Sequence, residues 1–148
     1  MENSKEVAFE FCKVPDVQTP YNGSIPGCLA VGTKVFARVK INPNPQQFVI
    51  NLEGNNGIAL HFNPRFDQRC SVANSFSAGQ WGSEVRVDSV PFQEDNGHGI
   101  EINVHEDRFE VIVEGNHLID FPHVMPFQYV RSLSIKGDIE IEMIIYHG

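Results

Sequence analysis

No stretch of this 148-residue chain approaches the ~20 consecutive apolar residues that a membrane-spanning helix needs. No membrane insertion is expected. Basic residues are scarce too. Eleven Lys and Arg stand against 19 Asp and Glu, a net charge of −8, so the basic footprint of a nucleic-acid binder is missing and no nucleic-acid partner is expected. Cysteine is limited to Cys12, Cys28 and Cys70. An odd count, wide spacing and the lack of a C-x-x-C pair argue against a disulfide framework and predict reduced thiols in a cytoplasmic protein. The opening MENSKEVAFEF has no apolar core, so no Sec-type signal peptide is expected. The six histidines show neither H-E-x-x-H nor zinc-finger spacing, and His98, His105, His117 and His123 read as surface or edge residues. Neither a metal nor a cofactor is expected.

What is present is a globular balance, 41% hydrophobic and 20% charged. A chain of this size reads as one domain, 1–148, and hides roughly 70% of the surface its unfolded form exposes. The apolar residues recur with period two and leave no helical stripe. Phe48, Ile50 and Leu52 share a face, and residues 100–104 (IEINV), 109–111 (FEV) and 139–143 (IEIEM) alternate in the same way. Turn clusters at 22–23, 26–27, 42–45, 54–57, 95–97, 115–116 and 136–138 separate these runs. Asn22-Gly23-Ser24 matches a glycosylation sequon and reads as one of the turns. The pattern predicts an all-β fold, an antiparallel β-sandwich of about ten to twelve strands, each with one wet face.

Chemistry concentrates in residues 60–66 (LHFNPRF). In an extended chain His61, Asn63 and Arg65 share one face, while Leu60, Phe62 and Pro64 share the other. Pro64 lacks a ladder donor and suits an edge or a bulge. Val72 and Asn74 follow on one face, then Glu84 and Arg86 on another strand. Trp81, the one tryptophan, reads either as a core residue or, from its loop-like setting between Gly79 and Gly82, at least as readily as an exposed ring. Planar bidentate groups, an imidazole and an aromatic plate suit a pyranose, which offers hydroxyls that both donate and accept and one face of C–H groups.

The spacing H-x-N-P-R, then V-x-N, then W-x-x-E-x-R, resembles the signature of the galectins, the β-galactoside-binding lectins. It is met at His61, Asn63, Pro64, Arg65, Val72, Asn74, Trp81, Glu84 and Arg86. The likeness runs over nearly the whole chain: residues 19–27 (TPYNGSIPG) resemble the family's opening segment and 137–141 (GDIEI) its closing strand. It implies a jelly-roll-like sandwich of the galectin and legume-lectin type, and a single carbohydrate-recognition domain over 1–148. It also implies a lectin that binds β-galactosides of the lactose and N-acetyllactosamine kind, on glycoproteins or glycolipids, without catalysis. By the same resemblance His61, Asn63 and Arg65 gather around the axial 4-hydroxyl of galactose. Asn74 and Glu84 take the 6-hydroxyl, Trp81 lies under the ring, Arg65 and Glu84 reach the second sugar, and Arg86 holds Glu84. Val72 packs beneath the site. The Arg65-to-Asn74 interval is shorter than in many relatives, with Asp67, Gln68 and Arg69 in the loop, and that bears on preference beyond the galactose.

Two other readings compete. A glycosidase of the usual kind carries two carboxyl groups about 5–5.5 Å or about 6.5–9.5 Å apart. The constellation holds one, Glu84, which Arg65 and Arg86 would keep ionised, and Asp67 on a loop is the remaining candidate. The other reading is a galectin-like sandwich that serves as a protein-interaction module; the intact polar set argues against it. The apolar segments at 7–11 and 139–146 predict exposed edges that join two copies as a homodimer through the terminal strands. Synthesis in the cytoplasm with release by a non-classical route is implied by the resemblance. An ordinary imidazole pKa of about 6.5 at His61 predicts that sugar affinity falls in mild acid.

Overall fold

The computed structural model describes residues 11–148. In chain order the strands are β1 (Phe11–Lys13), β2 (Tyr21–Ser24), β3 (Lys34–Ile41), β4 (Phe48–Gly54), β5 (Gly57–Arg65), β6 (Cys70–Ser77) and β7 (Gln80–Trp81). There follow β8 (Val85–Val87), β9 (Gly97–Val104), β10 (Arg108–Val113), β11 (Asn116–Pro122), β12 (Val130–Gly137) and β13 (Ile139–His147), with a 3-10 turn at Phe127–Tyr129. One sheet runs β1-β13-β3-β9-β10-β11; the other runs β2-β12-β4-β5-β6-β7, with β8 also paired to β6. Every pairing is antiparallel among the described residues. This is the expected antiparallel sandwich. The thirteen strands of the described residues exceed the sequence estimate because β7 and β8, of two and three residues, are too short to leave an alternation.

The period-two runs bury one side each. On β3 Val35, Ala37, Val39 and Ile41 turn inward while Lys34, Arg38 and Lys40 face water. Phe48, Ile50, Leu52, Leu60, Phe62, Leu133 and Ile135 of one sheet join Ile100, Ile102, Phe109, Val111, Ile119 and Phe121 of the other in a single core. Each such side chain contributes about 1.5–3 kcal/mol of transfer free energy.

Four expectations need correcting. Residues 22–24, read as a turn, lie in β2, paired with Ser132 to Ser134 of β12. In β13 the alternation breaks at a bulge between Ile141 and Met143, so Ile139, Ile141, Ile144 and Tyr146 are buried while Met143 is only half-buried. One extra residue reverses the parity of everything after it. The closing strand is also not an edge: β1 lies outside it, pairing Phe11 with His147 and Lys13 with Ile145. Thr19 Oγ1 accepts the Ile141 N–H at 2.8 Å, covering more of that flank. Residues 7–10 of the opening segment lie outside the described residues. His98, finally, is buried rather than at the surface. Its ring stands edge-on to Phe92, and Nε2 accepts the Gln93 N–H at 3.0 Å.

Gly137 ends β12 with φ at +122, and a Cβ there would lie 2.5 Å from Phe48 Cα on β4. Gly32 shares a positive φ, +97, but has open space around it. Gly32→Ala should cost about 1 kcal/mol and Gly137→Ala about 3 kcal/mol, as backbone strain and overlap add. Thermal unfolding should then show melting temperatures lower by roughly 3 °C and roughly 10 °C. Equal losses would mean that the close approach of β12 to β4 is not a constraint.

Candidate functional site

The register of the second sheet brings the polar residues together. Across neighbouring strands His61 faces Asn51 on β4 and Asn74 on β6, Asn63 faces Val72, and Val72 faces Arg86 on β8. Leu60 and Phe62 point the other way into the core, so the row stands over an apolar floor as the alternation predicts. The β6–β7 hairpin closes through Ala78 and Gly79, both at positive φ, with Ser77 opposite Gln80. Such a two-residue turn matches the twist of its strands. It sets Trp81 on Phe76, ring centroids 5.0 Å apart, and beside His61 at 4.7 Å, while half of the indole stays exposed.

The result is an open groove of about 430 Å³ lined by His61, Arg65, Val72, Asn74, Trp81, Gly82 and Glu84. Gly82 N donates to Ser75 O at 2.8 Å, and a Cβ on it would come within 2.9 Å of Ser75 Oγ and 3.4 Å of Asn74 Oδ1. A side chain at this position would press on the Ser75 hydroxyl and meet Asn74 only in ordinary contact. Asn74 Oδ1 in turn accepts the Ser75 N–H at 2.8 Å, leaving its amide nitrogen for the groove.

Two of the sequence-derived residues stand apart from the lining. Asn63, 2% exposed, spends its amide within the protein. Nδ2 donates to the Phe48 carbonyl at 2.8 Å and to Gln47 Oε1 at 3.1 Å, and Oδ1 accepts Arg65 Nε at 2.7 Å. Pro64 explains the first bond. Since Ile50 faces Phe62, Phe48 stands level with Pro64, which has no N–H to offer, and the Asn63 side chain serves that carbonyl instead. Pro64 therefore sits on an interior strand, where the β4–β5 ladder lapses, rather than at a sheet edge. Arg86 lies on the face expected for it, but its Nε is 3.4 Å from Asp88 Oδ1 rather than paired to Glu84. Asp88 lies two residues on, just past the end of β8, within easy reach of an exposed guanidinium.

Sequence reasoning missed the groove's supports. Asn51 Oδ1 lies 2.8 Å from His61 Nδ1, Gln68 Oε1 accepts Arg65 NH1 at 3.4 Å, and Gln47 backs Asn63. The one available signal was that Asn51 lies on the polar face of the alternating run 48–52. Burial first, then the positive charges of Arg65 and Lys136, pushes the His61 pKa down to about 4. The second rival carboxylate, Asp67, lines a different hollow with Phe66, Asn44 and Phe92, so among the described residues Glu84 is the carboxylate of the groove.

A second polar cluster lies on the outer face of the other sheet. Glu110, His117 and Asp120 have donor atoms within 4.8 Å of one another. Glu110 is already held by His105 Nε2 at 2.7 Å and His117 Nδ1 at 2.9 Å, and Asp120 by Arg108 Nε at 3.1 Å. Hydrogen bonding to the two imidazoles keeps the Glu110 carboxyl below its ordinary pKa. The positive charge that a bound cation would supply is in part provided by Arg108.

A family model described as Galactoside-binding lectin matches residues 20–146. Galectin-4 of Rattus norvegicus is 35% identical over 135 residues, 87% of this chain and 41% of that protein. The chain spans less than half the length of the Galectin-4 relatives it matches. Galectin-7 of Homo sapiens is 33% identical over 129 residues, 84% of this chain and 95% of that one. The crystal structure of Caenorhabditis elegans galectin LEC-6 superposes with a TM-score of 0.85 at 28% identity, covering 99% of this chain and 100% of that one.

A pKa of about 4 at His61 moves its expected protonation away from 6.5. The unfolded chain takes up the proton first as pH falls through 6.5, so this group lowers stability progressively between pH 6.5 and about 4 and adds nothing above. Ring-proton NMR of the six histidines should show His61 still neutral at pH 5.5. In Lys136→Ala its midpoint should rise, because a like charge is gone. A His61 midpoint near 6.5 would show that the ring is neither desolvated nor crowded by charge.

Proposed function

Because this chain belongs to the galactoside-binding lectin family, we propose that its groove holds a β-galactoside and releases it unchanged. The observation that carries the reading is the convergence of His61, Arg65, Asn74, Trp81 and Glu84 on one open groove from β5, β6 and the β7–β8 segment. A neutral imidazole accepts a hydroxyl proton, the Arg65 guanidinium and the Asn74 amide donate, and the Glu84 carboxylate accepts. The half-exposed indole offers a flat face to the C–H side of the ring. In this reading His61 and Arg65 meet the axial 4-hydroxyl, with Asn63 acting from behind by fixing the Arg65 guanidinium. Asn74 and Glu84 meet the 6-hydroxyl. Arg86, on the adjoining strand, steadies the anionic side of the groove. Gln68, bonded to Arg65, brings the short β5–β6 turn to the second sugar. With one carboxylate in the groove, the paired acid and base of a glycosidase are lacking, which favours binding over bond cleavage. Because His61 titrates well below its usual range, the acid sensitivity expected from the sequence moves down to around pH 4.

The partners are glycoproteins or glycolipids that bear terminal galactose, met by two copies of the chain joined edge to edge. Among the described residues β1 is the outermost strand of its sheet, and Phe11 on it is 64% exposed. An uncovered strand of this kind pairs with another chain unless something blocks it. All three thiols are free, which fits synthesis in the reducing cytoplasm, with non-classical release bringing the protein to surface glycans.

Retention on immobilised lactose, with elution by free lactose, tests the reading. If indole and sugar hide roughly 80 Å² of apolar surface, the contact contributes about 2 kcal/mol, so Trp81→Ala should bind lactose about 30-fold more weakly while remaining folded. Unchanged affinity, or passage of the wild-type protein straight through the column, overturns it. Sedimentation at micromolar concentration should show twice the one-chain mass. A single species of one-chain mass would mean that β1 is only an edge.

A further inference from the structure

We propose that Asn51 sets the hydrogen-bonding sense of His61: its side-chain carbonyl, 2.8 Å from Nδ1, takes the ring N–H there and leaves Nε2 as a bare acceptor toward the groove. A neutral imidazole carries one proton on one of two nitrogens, and the partner of one nitrogen decides the role of the other. Asn51 stands opposite His61 in the β4–β5 register and is 7% exposed, so water offers that nitrogen little competition. The rest of the setting keeps the ring from collecting a second proton. Arg65 on its own strand and Lys136 from β12 face it with positive charge. Of the nearby carboxylates, Glu53 on β4 is engaged by Ser134 Oγ at 3.0 Å, and Glu84, which lines the same groove, is not among the charges that act on the ring.

The identity of the residue matters as much as its place. A carboxylate at this position would hold Nδ1–H equally well, yet it would favour imidazolium, which only donates. An apolar residue would leave the ring free to place its proton on either nitrogen. Asparagine orients the imidazole without charging it. For a ligand the consequence is one-sided: the group that meets Nε2 has to be a hydroxyl that arrives as a donor. That last step rests on the galactoside reading above; the assignment of Asn51 does not. Asn51 is a positioning residue, acting on the sugar through His61.

Long-range proton–nitrogen correlation NMR of the ¹⁵N-labelled chain tests the assignment in the absence of sugar. His61 should carry its proton on Nδ1 in the wild type and should show a mixture of tautomers in Asn51→Leu. Lactose affinity should drop about five-fold in Asn51→Leu, the worth of one ordinary hydrogen bond. In Asn51→Asp the His61 midpoint should climb to roughly 6.5 or above, and lactose affinity should then fall between pH 7 and 5, where the wild type is flat. The same spectra report whether each variant is folded. A wild-type His61 protonated on Nε2, or an unchanged tautomer in Asn51→Leu, overturns the assignment. Failure of the wild type to bind lactose sinks the galactoside reading alone, since the tautomer is read without it.

Discussion

A carbonyl that faces a proline has to find its donor elsewhere, and the groove is organised around how this one does so. The Phe48 oxygen, level with Pro64, is served by the Asn63 amide, whose other end then takes Arg65 Nε. One buried side chain thus repairs a gap in the sheet and fixes the guanidinium that the groove presents. Leaving a buried carbonyl unserved costs about 1–3 kcal/mol, so the pressure to keep an amide at position 63 begins with folding. The Asn-Pro-Arg order reads as one device: a gap, its repair, and a cation held by the repair.

Much of this was legible in the sequence, because the relevant physics is local. The period of two along residues 60–66 separates His61, Asn63 and Arg65 from Leu60 and Phe62 with no knowledge of the fold, and the same period marks β3, β4, β9 and β10. The loop-like setting of Trp81 left an exposed ring at least as open as a buried one, and the structure leaves half of it in solvent. Legibility ended where a fact depended on which strand lies beside which. Asn51 touches His61 only through the β4–β5 register, and Lys136 acts on it from a strand more than seventy residues away in sequence. The bulge in β13 was hidden for a different reason: a run such as IEIEMIIY reads equally well in either parity after Glu142, and only pairing with β3 decides it.

The histidines show how little a residue type says without its surroundings. His61 is pressed toward neutrality by burial and by two cations. His105 and His117 instead flank a carboxylate on the opposite sheet, where Glu110 gains from both. His98 and His123 serve as packing rings, against Phe92 in one case and between Phe109 and Phe127 in the other. Composition alone assigns these five rings one ordinary pKa; the sandwich assigns them at least three distinct duties.

The sheet order has a consequence for how the protein comes into being. β1 pairs with β13, and β2 with β12, so the first two strands of the described residues are closed by the last two. Every signature side chain of the groove lies between residues 61 and 86, yet β4, which carries Asn51 and the Phe48 carbonyl, is flanked on its other side by β12 at Val130–Gly137. On the ribosome the whole recognition set emerges well before the strand that completes its sheet. A nascent chain halted before Val130 therefore holds every groove residue while one flank of β4 and both partners of the opening strands are still missing. Completion of this sheet waits for Val130–Gly137 to emerge, so the groove gains its full support in one late step rather than strand by strand.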